Sequence, residues 1–293
     1  MKYRVTHTTE LIYEARAGLS YNLARLMPRQ LPAQNVLGAN LRIVPAPQDH
    51  LRGLDYFGNH TDYFSLQQPH ETLRVTAVSE IEALPREAGL FDEAQQLSWE
   101  LARERLRADR GAAGIDALQF TLDSPMIVVE EFLAEYARPS FGPGRLLEEA
   151  VQDLMGRIHQ EFKYDPEFSS IATPLEEVMA HRKGVCQDFA HLAIGCLRAL
   201  GLAARYVSGY LETDPPPGKE RLVGADASHA WFSVYHPGRG WLDFDPTNNQ
   251  QPAERYVTVA WGRDFADVTP LKGVAYGGGD HELKVAVDVE RLK

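Results

Sequence analysis

Residues 228–245 constrain the fold of this chain more than any other stretch. Two β-favouring runs, about 228–235 and 241–245, flank the turn sequence His236-Pro237-Gly238-Arg239-Gly240. Such an arrangement reads as an antiparallel hairpin. If residues 235 and 241 face each other, 231 faces 245 and 229 faces 247. Side chains alternate along a strand, so His229, Trp231 and Ser233 share one face with Asp243 and Asp245. Asp245 is then the diagonal neighbour of His229, about 7–8 Å away between backbones. Carboxylate and imidazole side chains can close that gap, and Asp243 lies one pair further off. A slip of one residue would separate the two groups onto opposite faces.

The second constraint is a helix signature over 186–200. Phe189, Ala193, Cys196, Leu197 and Leu200 recur at helical spacing, and Gly201 follows as a stop. Cys186 stands at its predicted start, where the free first-turn amides lower a thiol's pKa and can serve as oxyanion donors. Cys196 falls mid-helix on the apolar face. Ten residues of helix rise about 15 Å, while a disulfide needs Cα atoms within about 7 Å. The two cysteines are therefore expected as free thiols.

The first part of the chain reads as all-β. Runs at 2–13 and about 38–44, 61–66 and 72–83 alternate apolar and polar residues. Ala17-Gly18, Pro45-Ala46-Pro47 and Gly58-Asn59 separate them as turns, which suggests a sandwich-like unit. A polar, helix-favouring connector follows at about 92–109. Helices are expected at about 143–162 and at 174–182, the latter with Thr173-Pro174 as cap and first position. Residues 203–211 read as a strand, broken by the loop Asp214-Pro215-Pro216-Pro217-Gly218. Further strands are expected at 255–261 and 282–289, around a Gly277–Gly279 loop. The resulting division is a β domain over 1–84, a helical linker region over 85–140 and a core with C-terminal strands over 141–293.

Net charge is −11 over 293 residues. That balance opposes binding to nucleic acid or to an anionic membrane, where Lys and Arg must neutralise phosphates. No stretch approaches the roughly 18 apolar residues of a membrane helix, and Met1–His7 has no apolar run of a signal peptide. A cytoplasmic location is the expectation. The oligomeric state is left open.

A thiolate nucleophile needs a histidine partner, and that histidine needs an orienting group. Cys186, His229 and Asp245 supply the three. Taken singly, each has a plain structural role: a small buried hydrophobe, a half-buried strand histidine, and a turn residue before Pro246. Their joint placement points to catalysis. The same three side chains would also suit a zinc ion. Asp264, Asp267 and Asp280 are acidic neighbours without EF-hand spacing. His191 is expected on the polar side of its helix, and His159 and His181 on the two preceding helices.

Gly184-Val185-Cys186-Gln187-Asp188-Phe189-Ala190-His191-Leu192 resembles the nucleophile motif of bacterial transglutaminase-like proteins. Leu197–Gly201 and Arg205–Tyr210 continue that pattern. Ser228-His229-Ala230-Trp231 resembles the family's histidine strand, and Gly240–Thr247 its Asp-Pro-Thr segment. Tyr3 to about Leu84, including Arg25-Leu26-Met27-Pro28-Arg29, resembles the β domain that precedes the core in many bacterial members. The Cys-to-His separation, 229 − 186 = 43 positions, is far shorter than the roughly 130–150 of papain and suits this branch. The resemblance implies an α+β, papain-like core with the cysteine helix packed on an antiparallel sheet. It implies a Cys186–His229–Asp245 triad acting on a peptide or protein amide through a thioester, as a peptidase, amidase or transglutaminase, without cofactor or metal. Gln187 is a candidate oxyanion donor, and Trp231 and Tyr164 are candidate substrate-lining residues. The competing expectation is a non-catalytic peptide-binding module on the same fold.

Overall fold

The computed structural model describes residues 1–85, 96–168, 170, 173–213 and 228–292. The expected start of the connector helix at 92–95 and the loop 214–218 lie outside the described residues.

The N-terminal unit is organised around one long strand, β1 (Lys2–Ala24). Its first half alternates strictly, with Tyr3, Val5, His7 and Thr9 buried and Arg4 outside. That half lies between β5 (His70–Ala83) and the C-terminal strand β13 (His281–Leu292). On the outer face Arg4 stands directly opposite Glu80 and Glu290 and pairs with both. The second half lies between β4 (His60–Leu66) and β12 (Leu271–Gly277). Strands β2 (Gln34–Val44) and β3 (Asp49–Leu54) close the outer edges against β5 and β4. Ala17-Gly18, expected as a turn, is instead a bend inside β1, with the pairing register shifting across it. Tyr13, Leu41, Ile43, Phe64, Leu66, Leu73 and Val75, drawn from both halves, share one buried cluster, which gives the unit its sandwich character.

The remaining elements are α1 (Trp99–Ala108), α2 (Ala112–Leu118), α3 (Glu131–Ala137), α4 (Leu147–Glu161), β6 (Lys163–Tyr164), α5 (Leu175–His181), β7 (Lys183–Gly184), α6 (Cys186–Ala199), β8 (Ala204–Leu211), β9 (Ser228–His236), β10 (Gly240–Phe244), β11 (Tyr256–Gly262) and α7 (Phe265–Val268). Strands β10-β9-β8-β11 form an antiparallel sheet, and α6 packs on it. α6 is buried from Asp188 through Arg198, because α3, α4 and α5 cover its other side. His191, expected on a polar face, is therefore buried. Its Nε2 accepts the Phe265 N–H at 3.1 Å, and burial, then the Arg198 charge, push its pKa down to about 3. Cys196 is a buried free thiol.

The two units share a core. Tyr3, Val5, Ile81, Val287 and Val289 of the first sheet join Leu154, Phe189, Leu192 and Phe232 in one cluster. Polar groups fasten the same seam. The Tyr3 hydroxyl donates to Glu212 at 2.9 Å, and Arg291 donates twice to the same carboxylate. The Arg25–Arg29 segment reaches across it too: the Arg29 guanidinium lies 3.5 Å from the Trp261 ring, and Arg205 stacks between Trp261 and Trp241. The C-terminal strands, attached by sequence to the core, thus hydrogen-bond into the N-terminal sheet. Ile127, Leu133, Tyr136 and Ala137 of the linker region are buried in the same core as α6.

Candidate active site

Cys186 is the first residue of α6. The helix begins there because Val185, in extended conformation, is its N-cap, and the Val185 N–H is captured by Asp188 Oδ2 at 2.8 Å. Valine has no acceptor to return that bond, so no N-cap side chain covers the first-turn amides. Gly184 is required at this corner. A Cβ there would lie 2.8 Å from the Asp188 Cβ, inside contact distance. The thiol is half-buried.

The hairpin arrives in the expected register. Trp241 stands opposite Tyr235 and Asp243 opposite Ser233. Asp243 accepts from the Ser233 hydroxyl. The Asp245 carboxylate, fully buried, accepts from His229 Nε2 at 2.7 Å. With Nε2 engaged, Nδ1 is the ring nitrogen left for the Cys186 thiol, whose proximity helps raise the imidazole's pKa. Burial alone lowers the imidazole's pKa. The bonds and charges of Asp245 and Cys186 outweigh it and raise His229 to about 10. For Asp245, burial pushes upward, and the bonds from His229, Asn248 and Tyr256 outweigh it and hold the carboxyl below its ordinary range.

Two further residues complete this corner. Tyr256, at the start of β11, donates its hydroxyl to Asp245 Oδ2 at 2.6 Å, and Asn248 Nδ2 donates to the same oxygen at 2.7 Å. Backbone N–H groups of Thr247 and Asn248 donate to Oδ1 at 2.9 and 3.3 Å. Sequence reasoning missed both side chains. Asn248 was discoverable as a turn residue three positions after Asp245. Tyr256 was not, because its approach depends on β11 joining the sheet beside β8.

Of the weaker candidates, Tyr164 is half-exposed, with its ring 6.5 Å from Phe189. Burial, then the nearby Cys186 and Asp188, raise its pKa. Gln187 follows the cysteine in the first turn of α6 and is partly exposed. Trp231 is fully buried, so it does not line an open cleft. It supports the site from beneath, 6.1 Å from the His229 ring and edge-on to Tyr256 at 5.3 Å. Its indole N–H has no partner among the described residues. Asp264 caps α7 and accepts the Met126 N–H, and Asp267 pairs with Arg263. Both are thereby committed to structural contacts.

Residues 3–82 match the bacterial transglutaminase-like N-terminal region, and residues 135–246 the transglutaminase-like superfamily. An uncharacterized protein of Mycobacterium tuberculosis is 46% identical over 98% of this chain and 92% of its own length. A protein-glutamine gamma-glutamyltransferase of Pseudomonas aeruginosa is 31% identical over 43% of this chain and 21% of its own length. A candidate cysteine protease from Cytophaga hutchinsonii has a crystal structure that superposes with a TM-score of 0.76 at 20% identity. That match covers 100% of this chain and 92% of the other. The chain belongs to the bacterial branch of the transglutaminase-like superfamily.

Proposed function

We propose that this protein is a cysteine-nucleophile acyltransferase acting on peptide or side-chain amides. The reading rests on one observation above all: a buried carboxylate bonded to one nitrogen of an imidazole whose other nitrogen is left for a thiol at a helix N-terminus. His229 takes the Cys186 proton, and the sulfur attacks the amide carbonyl carbon. The new C–S bond leaves a negative oxygen beside the first-turn N–H groups of α6, with Gln187 adjacent. Collapse breaks the C–N bond, and the amine departs with the proton from His229. Water or a second amine then attacks the thioester and gives a proton to the imidazole. The C–S bond breaks and the thiol is restored. Asp245 keeps the imidazole in the required tautomer throughout. Water yields hydrolysis and an amine yields transamidation, with a peptide or protein as the substrate class.

Alkylation of the native protein by iodoacetamide across pH tests the first step, with His229→Ala and Cys196→Ala as comparisons. Activation predicts Cys186 labelling well below the ordinary thiol pKa of about 8.5, lost in His229→Ala and kept in Cys196→Ala. A Cys186 that reacts only above that pH, indifferent to His229, refutes the enzyme and favours a binding module. Glutamine-containing peptides offered with and without a primary amine then separate transamidation from hydrolysis.

A further inference from the structure

Asp245 Oδ2 faces three donors at once: His229 Nε2 at 2.7 Å, Asn248 Nδ2 at 2.7 Å and the Tyr256 hydroxyl at 2.6 Å. A carboxylate oxygen offers about two lone pairs, so these donors compete. The carboxylate cannot rotate to relieve the crowding, because Oδ1 is occupied by the Thr247 and Asn248 backbone N–H groups. The tyrosine cannot turn its proton away easily, because its oxygen accepts from Gln250 Nε2 at 2.5 Å. Burial, then the Asp245 charge, raise its pKa, so it stays protonated and remains a donor.

We propose that Tyr256 and Asn248 are positioning residues that fix Asp245 Oδ2 against His229 and draw off part of its charge, thereby setting how tightly the imidazole holds its proton. The proposal rests on the triad reading above. Tyr256 acts through Asp245, and Asn248 Nδ2, besides donating to Asp245, also lies 3.3 Å from His229 Nε2, where its N–H dipole opposes the imidazolium charge and so acts in the same direction. The titratable groups around the pair are Cys186 from α6, Tyr256 from β11 and His159 from α4, whose Nδ1 donates to the Thr247 carbonyl at 2.9 Å. Tyr164 and Tyr206 stand on the thiol side. Of these groups, Tyr256 is the one that donates to Oδ2.

The sign follows from the competition. Removing one donor leaves more of the carboxylate's charge to His229, so the imidazole should bind its proton more tightly. The test is an NMR titration of the full chain with labelled histidine between pH 5 and 11, with the His229 signal assigned by its absence in His229→Ala. Tyr256→Phe and Asn248→Ala should each move the His229 titration upward, Tyr256→Phe by about one unit, a tenfold change in proton affinity. Tyr210→Phe removes a buried β8 hydroxyl that contacts His7 of β1 in the other sheet and should leave it unmoved. If Tyr256→Phe does not fold, Asn248→Ala decides alone. An unshifted or lowered titration in the variants overturns the proposal. A wild-type His229 that titrates as an ordinary imidazole, beside a Cys186 indifferent to it, overturns the triad reading instead, so the two failures are distinguishable.

Discussion

Asp245→Asn tests the whole corner, because an amide cannot satisfy the donors that a carboxylate does. Oδ1 accepts two backbone N–H groups and Oδ2 accepts three side-chain donors. Asparagine has one acceptor, so its NH2 must face one of these sets. The backbone groups are fixed, whereas the Asn248 amide can flip, so the side-chain set is the one that yields. The NH2 therefore faces His229 Nε2, which must then accept. The ring proton moves to Nδ1, the nitrogen needed by the thiol. Burial is the largest influence on His229 and lowers its pKa. Without the Asp245 charge the imidazole is neutral at pH 7 and no longer stabilises a thiolate. An ordinary thiol with a pKa of about 8.5 is only about 1% ionised at pH 6.5. Alkylation of Cys186 at pH 6.5 should thus slow by about a hundredfold relative to an ionised pair, while at pH 9.5 the two proteins converge to within about twofold. The assay is the iodoacetamide rate at Cys186, read by mass spectrometry in a Cys196→Ala background. Equal rates at pH 6.5 would refute the tautomer argument. So would a deficit that does not close with rising pH, since that pattern means obstruction of the thiol.

The ion pair should also write itself into stability. His229 is raised from 6.5 to about 10, so its contribution is complete below about pH 6.5 and fades as pH climbs to about 10. Asp245 is depressed below 3.8, so its contribution is present above that value and disappears as pH falls through the folded one. Urea midpoints at pH 6 and pH 10 in a Cys186→Ala background should differ, and His229→Gln should flatten the difference. Gly209 faces His229 across β8 and β9, and a Cβ there would lie 2.1 Å from the Val257 carbonyl oxygen. Gly209→Ala should cost more than about 3 kcal/mol or prevent folding, and a midpoint within about 1 kcal/mol of wild type by urea titration would contradict the close approach. Glu212→Gln weakens the seam that ties β1 and β13 to the core, and should cost about 1–3 kcal/mol in the same titration. Cys186 alkylation should be unchanged, and a loss of thiol reactivity would mean the seam also supports the site.

How much of this was legible in the sequence depended on whether a signal was local. The hairpin register could be read because its turn lies between two alternating runs, and it carried Asp245 to His229. The start of α6 could be read because Gly184 and the apolar spacing from Phe189 to Leu200 bracket it. β3 could not, since all six of its residues are exposed and only pairing with β4 makes them a strand. β12 was equally silent: Leu271–Gly277 has two glycines and little burial, and it is a strand because β1 offers residues 17–24 as a partner. His191 was misjudged because helical periodicity assumes one wet face, and α6 has none over its middle. Tyr256 shows the same limit at the site itself. Its strand was expected, but its hydroxyl meets Asp245 only through the order β9-β8-β11, which no window of sequence contains. The residues of the proposed triad are thus written in three short motifs. The proposed control of its proton lies in the sheet that brings Tyr256 alongside, so on this reading variants of Tyr256 and Asn248 tune the imidazole, whereas changes to the three motifs abolish the proposed chemistry.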